Sequence, residues 1–144
     1  MAQQDKELLL RDLSARQPYG VILQVSIFDN GDIKYHNEKL NYRLLSLIEL
    51  DGGYYFRGLL CKYPKFTAKP YLRPMSSMTE KECYELHYIR SNFTDNWKYI
   101  KTPIPLSIAN YNQVDWLNAH HFDYRGLIEK GLAIEVTPEN NPYK

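Results

Sequence analysis

The chain has 144 residues, about one domain's length, with 18 Lys and Arg against 17 Asp and Glu. A net charge of +1 gives no global field that would draw nucleic acid or an acidic surface. With 44% hydrophobic residues, a chain this long buries a core without a metal or disulfide staple.

Cys61 and Cys83 are the only cysteines and show no ligand-like spacing. They read as two buried thiols of a cytoplasmic protein. The N-terminal residues carry mixed charge and no apolar stretch, so no signal peptide is expected. No apolar run approaches the length that crosses a membrane. Thirteen tyrosines stand against five phenylalanines. Tyrosine suits half-buried strand positions, and it is also common at interfaces.

In chain order, Asp5 to Arg16 reads as a helix with Leu9 and Leu13 on one face, stopped by Pro18. Val21 to Phe28 alternates like a half-buried strand, and Asn30-Gly31 supplies a type I′ hairpin turn. Ile33 to His36 returns antiparallel, and Asn37 to Asn41 reads as a loop. The apolar run Tyr42 to Leu50 is expected as a buried strand, and Tyr54 to Leu59 as the next. A fifth strand spans Lys65 to Leu72, with Pro70 marking an edge.

Thr79 and Glu82 form a capping box that opens a helix to about Arg90. The stretch from Ser91 to Ile108 reads as irregular, and a third helix covers Asn112 to His120. Asp123 is expected to cap a short helix through Lys130, with Gly131 as its left-handed stop. Leu132 to Val136 alternates as a last strand, and residues 137–144 are expected to fray. Segregated elements of this kind mean one α+β domain, sheet-rich over 19–74 and helical over 78–136. The five or so antiparallel strands form either an open sheet or a small SH3-like or Sm-like barrel, with an N-terminal helix and a C-terminal helical region.

Three segments carry a family likeness: Leu13 to Val21 (LSARQPYGV), Lys69 to Glu80 (KPYLRPMSSMTE) and Val114 to Ala133 (VDWLNAHHFDYRGLIEKGLA). They resemble a family of small uncharacterised proteins from gut Bacteroidetes genomes and their prophages. The likeness covers under half of the chain. It implies a shared fold and a phage or mobile-element context, and it transfers no functional residue.

One constellation suggests a binding strip. Lys62, Lys65, Phe66, Lys69, Tyr71 and Arg73 interleave cations with rings, and no Asp or Glu falls between Gly52 and Met78. In an extended strand Lys69, Tyr71 and Arg73 share a face, which is what single-stranded nucleic acid needs. The plainer reading is an edge strand guarded by lysines and a proline, with Tyr71 packed inward.

His120 and His121 point about 100° apart on a helix, so they do not chelate one metal as an i,i+4 pair would. One is expected to cap a helix end while the other packs. A catalytic or metal site at Asp115, His120 and His121 ranks last. Glu80, Glu82 and Glu85 read as a solvated helix face, and the chain has no GxSxG, Cys–His pair or Gly-rich phosphate loop. The resulting expectation is a non-enzymatic, cofactor-free accessory protein that binds another protein, compatible with homo-oligomers. Nucleic-acid binding through residues 62–73 is the alternative.

Overall fold

The computed structural model describes residues 1–88 and 111–144. It is α+β, and the barrel expectation is not met: the strands form a four-stranded mixed sheet and a separate two-stranded one. Helix α1 (Gln3–Arg16) leads into strands β1 (Ile22–Asp29) and β2 (Asp32–Lys39). The turn between them has Asn30 at φ 49° and Gly31 at φ 89°, the two left-handed residues of the expected I′ hairpin. Strand β2 runs three residues beyond His36, through what had read as a loop.

The next element corrects the sequence reading. Tyr42 to Leu50 is not a strand; α2 spans Tyr42–Glu49. The Asn41 side chain accepts the Leu44 N–H at 2.9 Å, an N-cap that fixes the helix start. Leu44, Leu47 and Ile48 are then buried at i, i+3 and i+4.

The fourth expected strand, Tyr54 to Leu59, is instead a hairpin of β3 (Gly53–Phe56) and β4 (Leu59–Lys62). Its turn is Arg57-Gly58, with φ 52° and 79°. Strand β5 (Thr67–Leu72) returns to the main sheet, whose order is β2-β1-β5-β6 with β6 at Ile134–Glu135. Among the described residues β5 is thus covered on its second side only from Tyr71 onward. Pro70 lies opposite Leu23 of β1, just before the parallel pairing of Tyr71 with Ile134 begins. The outer strand β2 is a charged edge as well, where Glu38 pairs with Arg43 and His36.

One sheet face carries Leu23, Val25, Ala68 and Leu72, all buried against Leu9 and Leu13 of α1 and the apolar face of α2. Each fully buried leucine here is worth about 1.5–3 kcal/mol. A second core gathers Met75, Met78, Leu86 and Cys83 with Leu117 and Phe122. It lies between α3 (Glu80–Tyr88) and the segment from α4 (Tyr111–Ala119) onward. The capping box forms as read: Thr79 Oγ1 accepts the Glu82 N–H at 3.2 Å and Glu82 accepts the Thr79 N–H at 3.0 Å. The expected end of that helix near Arg90 and the irregular Ser91 to Ile108 stretch lie outside the described residues.

Asp123 does cap, but not a helix. Its carboxylate accepts the N–H groups of Leu127 and Ile128 at 2.8 and 2.9 Å, organising turns up to Gly131 at φ 72°. Of the two thiols, Cys83 is buried and Cys61 only partly so. Among the described residues no helix is long and apolar enough to cross a membrane.

The C-terminal tail corrects another expectation, because it is tied down. The β1–β5 ladder ends at Leu23 and Pro70, so the next pair in register would be Ile22 and Tyr71. There the Tyr143 hydroxyl stands between the strands. It accepts the Ile22 N–H at 3.1 Å and donates to the Tyr71 carbonyl at 2.7 Å. Burial pushes that hydroxyl's pKa up to about 12.

Candidate functional site

The β3–β4 hairpin has a fixed root and a bare tip. At the root, the Gly53 N–H donates to the Leu50 carbonyl at 2.9 Å and the Tyr63 N–H to the Gly52 carbonyl at 2.9 Å. The Tyr54 and Tyr63 rings meet at 4.7 Å. Beyond them Tyr55 faces Leu60 and Phe56 faces Leu59. These four side chains are 67%, 62%, 58% and 71% exposed. Successive strand residues point to opposite faces, so the tip is apolar on both sides. The hairpin pairs with no other strand among the described residues. The composition hinted at this in its surplus of tyrosine; reading residues 54–59 as one strand hid the turn that creates the tip.

The base of the hairpin opens onto a cleft of about 600 Å³. Four of the six strip residues, Lys62, Lys65, Phe66 and Lys69, line it. Leu9, Ile48, Ala68 and Leu132 of the first core also line it. So do Asp5 of α1 and Asp51, just after α2. Asp51 is within 3.5 Å of the Lys6 ammonium. The Lys65 ammonium sits over the Phe28 ring at 4.9 Å, while Lys62 and Lys69 have no carboxylate partner among the described residues.

The other two strip residues are elsewhere. Tyr71 is only 6% exposed, and its hydroxyl donates to Asn37 Oδ1 at 2.9 Å and accepts from Gln24 Nε2 at 3.3 Å. It spans three strands as a polar strut rather than offering a stacking face. Arg73 is clamped by both oxygens of Glu82 at 2.7 and 2.8 Å and lies 4.1 Å over the Phe122 ring. Its hydrogen bonds, with burial opposing, hold the Glu82 carboxyl down at about 2. The Arg73 backbone bonds to His121 and Asp123, joining β5 to the chain after α4. Arg73 is therefore structural, and the proposed basic-aromatic face loses both its ring and one cation.

The histidines divide as the plainer reading expects. His120 Nδ1 lies 2.9 Å from the Trp116 carbonyl, and its ring stacks on Trp116 at 3.9 Å. His121 sits at φ 63° with its ring stacked on Tyr143 at 3.8 Å. Burial first, then the nearby Arg16, His120 and Arg73, lowers its pKa to about 4. Asp115 is exposed, and after burial its carboxylate is the next cause of a raised Tyr19 hydroxyl pKa. The three candidates therefore serve three different partners. Among the described residues, no three His, Cys, Asp or Glu side chains gather as a metal site would need.

Sequence reading missed a buried polar cluster between the two cores. Asp12 and Arg16, both 0% exposed, pair at 2.7 Å across one turn of α1. Arg16 also donates to the Phe122 carbonyl at 2.6 Å. Arg125 approaches the other Asp12 oxygen at 3.5 Å, and both guanidinium groups lie about 5 Å from the Tyr124 ring centre. The i,i+4 spacing was visible, but such pairs usually face water. No family model, curated protein or solved structure matches the chain.

Proposed function

We propose that this protein acts without catalysis, by gripping another protein through the β3–β4 hairpin. The hairpin tip carries the reading: four large apolar side chains on two faces, outside both cores. Single exposed hydrophobics are ordinary, whereas a cluster of them marks a contact surface. Full burial of each such side chain gains about 1.5–3 kcal/mol. The anchored root holds the tip in shape, which lowers the ordering cost of association. Tyr and Phe are also the rings that interface centres favour. The likeness to gut Bacteroidetes and prophage proteins adds a context, a small accessory protein of a mobile element. That part rests on the three sequence segments alone.

The test is a photo-crosslinking phenylalanine analogue placed at Phe56 in the cell that makes the protein. One discrete adduct is expected. The same group at Tyr84, exposed on α3, is expected to give none. An adduct of twice the chain's mass identifies the partner as a second copy. Equal yields from both positions, or a smear of unrelated adducts, contradict the proposal.

A further inference from the structure

We infer that the lysine-rimmed cleft at the base of the hairpin binds an acidic, apolar peptide segment of the partner. The inference rests on the protein-binding reading and adds a second contact with a defined chemistry. The two surfaces are continuous: Lys62 ends β4 and lines the cleft. A chain leaving the hairpin tip therefore meets the cleft next.

The occupant follows from what the lining residues offer. Lys62, Lys65 and Lys69 all line the cleft, and no described carboxylate neutralises Lys62 or Lys69. Glu or Asp side chains complement these cations. The apolar lining residues Leu9, Ile48, Ala68 and Leu132, with the half-buried Phe66, suit an aliphatic or aromatic side chain. Asp5 and Asp51 also line the cleft. Their carboxylates are acceptors for peptide N–H groups, a donor that a nucleic-acid backbone lacks. Thr67, Ala68 and Lys69, which line the cleft, pair only with β1 among the described residues, and the open backbone edge of a strand is a site for a peptide to pair. The cleft therefore favours a polypeptide over a single nucleic-acid strand.

The test is fluorescence anisotropy with the full chain and a short labelled peptide that alternates Asp or Glu with Leu or Phe. Binding is expected and should weaken as salt rises. Lys62→Glu and Lys69→Glu should each weaken it about tenfold or more. A peptide with Ser for its apolar residues should lose binding, and unlabelled oligo-dT should not compete. No binding, binding unchanged in both lysine variants, or displacement by oligo-dT would overturn the inference. If the peptide fails while Phe56 still crosslinks one partner, only the cleft assignment falls. If the peptide binds as described and Phe56 crosslinks nothing, the hairpin reading falls instead.

Discussion

Tyr143 shows how one side chain closes a fold far from it in sequence. Its hydroxyl replaces a direct rung between β1 and β5, and its ring lies on His121. Tyr143→Phe keeps the ring and removes the bridge, leaving a backbone donor and an acceptor without it. A loss of about 1–3 kcal/mol is expected in urea unfolding. The stacked His121 gives a second expectation. Its pKa is about 4 when folded and 6.5 when free, so below pH 6.5 the unfolded chain binds the proton first. Stability should then fall as pH drops from 6.5 towards 4, because the unfolded state holds more protons in that window. His121→Phe should flatten that part of the curve, measured as unfolding midpoint against pH. An unchanged slope would mean that His121 is not held neutral by its surroundings.

Among the elements, α2 is the most instructive. The apolar run Tyr42 to Leu50, bounded by turns, reads as a buried strand, yet a short apolar run of this kind is equally compatible with a buried helix segment. The deciding residue is Asn41, whose side chain caps the helix. Asn41→Ala should cost about 1 kcal/mol by thermal or urea unfolding, whereas a strand start would lose nothing comparable. Helix α1, the Asn30-Gly31 hairpin and the Thr79 capping box were legible because each depends on residues within a few positions of one another. The Arg57-Gly58 turn was missed because Arg is an unusual residue at positive φ. The tied-down tail and the Asp12–Arg16–Arg125 cluster were invisible for another reason: their contacts join residues far apart in the chain. The candidate strip was half legible. Its lysines and Phe66 do meet around one cleft, but alternation alone did not reveal that Tyr71 and Arg73 are committed to the sheet and to Glu82.

At the scale of the whole molecule, two cores fix a mixed sheet and leave the apolar hairpin tip outside both. The central claim is that the Tyr55, Phe56, Leu59 and Leu60 tip exists for a partner and not for the fold. The most direct measurement is the crosslinking yield at Phe56 in a Leu59→Ser, Leu60→Ser variant, read together with its urea midpoint. If the tip serves a partner, the stability change should stay within about 0.5 kcal/mol per site, as for surface substitutions, while the adduct disappears. Unfolding of the variant, or an undiminished adduct at an unchanged midpoint, would contradict the claim.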